Sequence, residues 1–228
     1  MMNSGYRIIK NFSRPSRELI ERYRNIPVPN IGDAMNRTAA IGSEIRPVNT
    51  AKLLGPAYTV RVQAGDNLMF YYALDNAQPG DIIVVDGAGY TERALCGEIM
   101  VAMAKEKKLG GFVVDGAIRD WMEISKMTDF PVFCRSVVPN GPYKNGPGEI
   151  NVPVQIGGRI IHPGDILIGD GNGLVAVMPE ESEDVLEAAK AVMLKEAGMM
   201  RRIAETGSLD LSWMYEKLKN DHCEIVSE

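Results

Sequence analysis

Short apolar runs bounded by Gly, Pro and Asp alternate with amphipathic stretches along this chain, and their periods predict its elements. Leu53 to Val62 has the period-2 alternation of a strand and closes in the turn Ala64-Gly65-Asp66-Asn67. Residues 68–77 follow as a helix. Ile82–Val85 and Phe112–Val114 are runs too short for a helix and are flanked by turn formers, so they predict buried strands. The second is expected to break at Asp115-Gly116. Between them, Thr91 to Leu109 has helical spacing, with Leu95, Ile99, Met100, Met103 and Ala104 on one face and Gly110-Gly111 as the stop. Strand, helix and strand within about 35 residues is the βαβ pattern, which predicts parallel pairing of the two strands.

Upstream, Ser16 caps a helix over residues 16–26 that Pro27 and Pro29 stop, and Asn30 starts a second short helix. Downstream, a short helix follows Trp121 and a strand covers 131–134. The Gly/Pro-rich residues 139–148 form a loop, long enough to suggest a function or a subunit contact. Strands near 152–156, 159–161, 166–168 and 174–178 precede helices over Glu180–Glu205 and 210–219. Pro79-Gly80-Asp81 before one strand is echoed by Pro163-Gly164-Asp165 before another. The spacing is too irregular for a solenoid, and similar strands under similar constraints explain the echo.

Composition narrows the chemistry. With 228 residues, 45% of them hydrophobic, the chain can bury the core of one domain. A net charge of −5 without a sustained basic stretch argues against nucleic acid as a principal ligand. No apolar segment approaches the roughly 20 residues of a membrane helix. Residues 1–25 are polar and mixed in charge, so no signal peptide is expected and the cytoplasm is the expected compartment. Three cysteines at wide spacing (Cys96, Cys134, Cys223) fit neither a disulfide framework nor a zinc site. The two histidines, His162 and His222, lie in no nucleophile or zinc motif. A metal, if used, would be held by oxygen, which points to Mg²⁺ or Mn²⁺.

Against that background Arg119-Asp120 stands out, at the end of the apolar run 110–118. A fixed guanidinium can hold an anionic substrate, and the adjacent carboxylate can hold a metal. The bland alternative is a surface pair in which Asp120 caps the next helix. Upstream, Gly97 interrupts the helical pattern in Cys96-Gly97-Glu98-Ile99-Met100. A helix starting there would leave the amides of Glu98, Ile99 and Met100 free at the positive end of the dipole, a site for a carboxylate. Glu98 would face the same region and could hold metal-bound waters. Gly97 reads equally as a packing glycine. A Cys96 thiolate is a further candidate, but it lacks a histidine base.

These residues carry a resemblance. Gly97-Glu98-Ile99-Met100, then twenty residues after Glu98, then Arg119-Asp120, resembles the Asp-x20-Arg-Asp signature of the 4-hydroxy-4-methyl-2-oxoglutarate aldolase and RraA-like family. Gly55-Pro56-Ala57, Val60-Arg61-Val62, Gly65-Asp66-Asn67, Ala77-Gln78-Pro79-Gly80-Asp81, Val113 to Asp120, Asn151-Val152-Pro153-Val154 and Gly157-Gly158 extend it from about residue 25 to 180. The resemblance implies a single α/β domain of the swivelling β/β/α type, a central β-sandwich with flanking helices. An N-terminal helical arm would cover about residues 1–50, and C-terminal helices about 180–220. It implies homotrimers or hexamers with sites between subunits, and a class II aldolase cleaving a 4-hydroxy-2-oxo acid to pyruvate, with oxaloacetate decarboxylation through the same enolate. Asp120 would ligate Mg²⁺ or Mn²⁺, Arg119 would contact the pyruvyl part, and Gly97, Glu98, Ile99 and Met100 would form the pyruvate pocket. Glu98 stands where the signature has Asp, one methylene longer. Members lacking these carboxylates resemble non-enzymatic regulators of ribonuclease E, which is the alternative function.

Overall fold

The computed structural model describes residues 5–226, so the first four residues of the expected N-terminal arm lie outside the described residues. The elements in order are β1 (Arg7–Ile8), α1 (Arg17–Glu21), α2 (Val28–Ala34), β2 (Arg46–Pro47), β3 (Leu53–Val62) and α3 (Leu68–Asn76). Next come β4 (Ile82–Asp86), β5 (Ala94–Cys96), α4 (Glu98–Glu106), β6 (Gly111–Ile118), α5 (Trp121–Ile124) and β7 (Val132–Val137). The chain continues with β8 (Gly148–Ile150), β9 (Val154–Ile156), β10 (Arg159–Ile161), β11 (Ile166–Asp170) and β12 (Gly173–Val177). It closes with α6 (Ser182–Thr206) and α7 (Ser212–Asn220).

Ten strands form one branched sheet whose main path is β1-β8-β3-β4-β6-β7-β2. β3, β4, β6 and β7 are parallel neighbours, and the β4–β6 pairing is the one the βαβ pattern predicts. β5 joins the far end of β6, and β11 pairs antiparallel with β3, carrying β12. β9 and β10 form a separate hairpin.

Period-2 alternation sorts the buried strands into layers. Ile83, Val85, Phe112 and Val114 face the cluster completed by Phe70 and Leu74 of α3 and Met100, Val101 and Ala104 of α4. Ile82, Val84 and Val113 point the opposite way, toward Val154, Ile156, Ile161 and Leu167. On β11, Leu167 belongs to that inner layer, while Ile166 and Ile168 pack on α1, α2 and α6. Helices therefore cover both outer faces of a β/β core, and β3 is buried on both sides rather than on one.

Three expectations need correction. Residues 91–97 are not helical: Ala94-Leu95-Cys96 pair with Ala117 and Ile118 of β6, and the regular helix starts only at Glu98. A run of three apolar residues gains a ladder partner there, which its helical spacing does not reveal. For the same reason β6 does not break at Asp115-Gly116. It bulges against β7 between Val114 and Ala117 and runs on to Ile118 beside β5. The N-terminal segment, expected to be helical, holds two helices of five and seven residues, and its strands β1 and β2 cap the two edges of the sheet.

The sequence echo is a repeated turn. In each copy Pro leads a Gly with φ of 92°, as a type II turn requires, and the Asp amide bonds back to residue 78 or 162. Each Asp carboxylate in turn accepts the backbone amide three residues earlier, at 2.8 Å. Asp81 alone gains a two-pronged ion pair, with Arg14 at 2.7 Å on both oxygens.

Candidate active site

The last β5–β6 hydrogen bond sets the site. Arg119 donates its amide to the Cys96 carbonyl at 3.0 Å, so Arg119-Asp120 lies beside Gly97 at the C-terminal edge of the parallel strands. Gly97 is extended (φ −155°) and caps α4 without a side chain. A Cβ there would collide with Asp120 Oδ2 and come within 2.9 Å of Arg119 Cγ. The glycine is needed because the Arg-Asp pair occupies that space.

Asp120 takes a left-handed conformation (φ 59°, ψ 35°), one that Asp tolerates better than most residues. Its side chain makes no cap to α5, so the capping alternative is excluded. Oδ2 instead accepts the Glu98 amide at 3.0 Å and lies 3.7 Å from Arg119 Nε. Oδ1 carries no hydrogen bond among the described residues.

Of the three amides expected to be free, one remains. Glu98 is taken by Asp120, and Met100 donates to the Gly97 carbonyl at 3.1 Å, which also accepts from Val101. The Ile99 amide has no acceptor among the described residues. The Glu98 side chain is exposed and does not line the cleft. Cys96 lines it, but its thiol is buried and burial pushes its pKa well above the usual thiol range, so it stays protonated.

The cleft measures about 60 Å³. That is room for roughly four or five water-sized groups, which suits a small carboxylate rather than a nucleotide. Gly97, Ile99, Met100, Arg119 and Asp120 form one side. Asn67, Tyr71, Pro142 and Lys144 form the other, bringing a second cation to the site. Asn67 is buried; its Nδ2 donates to the Leu95 carbonyl at 2.8 Å, and its Oδ1 has no partner among the described residues. The turn motif around Asn67 and the long Gly/Pro loop were the available signals for this wall, but neither pointed to Lys144 or Tyr71. Asp86 at the end of β4 and Asp115 within β6 do not line the cleft.

Among the described residues no group of three His, Cys, Asp or Glu side chains could enclose a metal. The donors present still suit Mg²⁺ or Mn²⁺, which bind through one or two carboxylates and otherwise keep water or substrate oxygens. Asp120 Oδ1 is such a donor, and the residue whose amide orients it, Glu98, carries a second carboxylate. No described helix is long and apolar enough to cross a membrane.

The fold and the cleft together define an α/β domain with a small cleft where parallel strands end. The chain belongs to the RraA-like family: the family model described as Aldolase/RraA matches residues 28–176. A relative from Halalkalibacterium halodurans, named "Putative 4-hydroxy-4-methyl-2-oxoglutarate aldolase", is 40% identical over 189 residues, 82% of this chain and 90% of the relative. Streptomyces coelicolor RraAS2, described as an unusual member of the RNase ES inhibitor RraA protein family, superposes with a TM-score of 0.73 at 25% identity. That match covers 83% of this chain and all of the other. An uncharacterized protein from Pseudomonas syringae shares the fold with a TM-score of 0.76 at 22% identity, over 86% of this chain and 97% of its own.

Proposed function

We propose that this protein is a divalent-metal-dependent carbon–carbon lyase that cleaves a 4-hydroxy-2-oxo acid to pyruvate and decarboxylates oxaloacetate. The observation that carries the reading is the close-packed Gly97, Arg119 and Asp120, which leaves a guanidinium, a carboxylate oxygen and the Ile99 amide open to one small cleft. The family and the name of the Halalkalibacterium relative support it.

The Ile99 amide and the Arg119 guanidinium bind the pyruvyl carboxylate and 2-oxo oxygen, and Lys144 adds positive charge on the far wall. Asp120 would hold the cation through Oδ1, while the Glu98 amide fixes Oδ2. When bound, the cation supplies Lewis-acid stabilisation of the negative charge that grows on the 2-oxo oxygen as the C3–C4 bond breaks. Arg119 stabilises the same charge from a fixed position, where preorganised electrostatics contribute most. Glu98 exchanges a proton with the substrate's 4-hydroxyl through water. Ile99, Met103, Trp121 and Met122 expose apolar surface near the cleft, which fits burial against further copies in a trimer or hexamer. A cytoplasmic setting suits such a substrate.

Purified protein given oxaloacetate and Mg²⁺ or Mn²⁺ should release pyruvate, and EDTA should stop it. Undiminished turnover in EDTA would refute the metal-dependent reading. The RraA relatives favour one second reading, regulation of a ribonuclease by protein binding. Capture of a ribonuclease complex together with no turnover of any oxo acid would support that instead.

A further inference from the structure

The wall opposite Gly97 is a loop, residues 138–147, and the folded chain fixes it from two sides. On one side Asp66, itself buried, accepts the amides of Asn145 at 2.5 Å and Gly146 at 3.0 Å. On the other, Arg93 donates to the Gly141 carbonyl at 2.9 Å and to the Tyr143 hydroxyl at 2.8 Å. Its guanidinium carbon also stands 4.1 Å from the centre of the Tyr143 ring. Pro142 and Lys144, the two loop residues that line the cleft, sit between these anchors. The loop also reaches the opposite wall, since a Cβ on Gly141 would lie 3.3 Å from Arg119 Nη1.

Arg93 itself does not line the cleft. Its fork spans two acceptors two residues apart, a geometry that the single ammonium of lysine cannot reproduce. Gly65 leaves the space this side chain needs, because a Cβ there would stand 3.1 Å from Arg93 Cδ. The Ala94 amide, next in sequence, donates to the Asn140 carbonyl at 2.8 Å, so the start of β5 and the loop are tied together.

We infer that Arg93 is a positioning residue: it holds the 138–147 loop as a fixed wall, and through Lys144 and Arg119 it sets substrate affinity rather than the chemical step. The affinity half rests on the lyase reading above; the loop half does not. An Arg93→Met variant should be cut by trypsin after Lys144 about tenfold faster than wild type, because the loop opens locally more often. Its KM for oxaloacetate should rise about tenfold with kcat within about threefold, the signature of lost ground-state binding. Arg93→Lys should restore part of both effects, and Tyr143→Phe, which keeps the ring and loses one hydrogen bond, should show a smaller version of each.

Cleavage is followed by mass spectrometry at the Lys144–Asn145 bond, alongside the melting temperature. A merely structural role would lower the melting temperature and speed cutting throughout the chain, and that result would overturn the inference. So would wild-type cutting after Lys144 in both Arg93→Met and Tyr143→Phe. Faster cutting with an unchanged KM would overturn the affinity half. If wild type turns over no oxo acid, the lyase reading and the affinity half fail together, while the cutting rate still decides the loop half.

Discussion

Two arginine–aspartate pairs stand on the parallel strands, one within β6 and β7 and one just past the end of β6, and they are built for opposite ends. Arg135 of β7 and Asp115 of β6 meet at 2.6 Å, with side chains 27% and 7% exposed. The second Asp115 oxygen accepts the Gly157 amide at 2.9 Å, and Arg135 reaches Glu44 at 3.3 Å. The Asp115 hydrogen bond pulls the Arg135 pKa further up, so the cation is permanent. Arg119 and Asp120 stand 3.7 Å apart with side chains 44% and 40% exposed, and Oδ1 carries no bond among the described residues. The same two residue types give a closed clamp between β6, β7 and the β9–β10 hairpin in one place, and an open cleft in the other. What distinguishes the open pair is valence left unused.

That contrast is sharpest where each pair is cut. Arg119→Met or Asp120→Ala should lower kcat/KM for oxaloacetate about a thousand-fold, near the upper range for loss of one preorganised charge, with the melting temperature nearly unchanged. A melting temperature that collapses with activity would erase the distinction. Asp115→Ala should do the reverse. It leaves a half-buried guanidinium and the Gly157 amide without their acceptor and should cost about 3 kcal/mol in denaturant titration. Activity measured well below its transition should survive. The smallest effect is expected between the pairs: Gly97→Ala pushes its methyl into Asp120 and Arg119. It should reduce kcat/KM about thirtyfold by misplacing both side chains. Wild-type kinetics in Gly97→Ala would show that the close packing is incidental.

The sequence made the regular parts of this molecule legible wherever one period dominated. The β3–α3–β4 succession, the parallel pairing of β4 with β6, and the C-terminal helix all follow from local pattern. Leu95 shows where that logic stops. Its place in a helical stripe is real as spacing, but a strand partner 23 residues away, Ala117 opposite Ala94, decides the backbone. Ile99 and Met103, assigned to the same apolar face, are 69% and 42% exposed, while Val101 is fully buried. The Gly97–Arg119–Asp120 side of the cleft was readable because the family resemblance fixed its spacing. The Asn67–Tyr71–Lys144 side was not, since it is assembled by hydrogen bonds from Asp66 and Arg93 to a loop some 50 to 80 residues further along.

β3 carries a consequence for the order in which the chain folds. It pairs with β4 and β8 on the main path and with β11 on the branch, where Leu53 stands opposite Gly169. Closing that pairing means joining segments more than a hundred residues apart, so its entropy is met late and folding is expected to be slow. On a ribosome, β3 and β4 can meet as soon as Asp86 emerges, but the inner apolar layer stays uncovered until Leu167 and Leu174 arrive. The nascent chain thus carries an exposed strand edge for much of its synthesis, a span in which chaperone contact or early association with other chains has its opening.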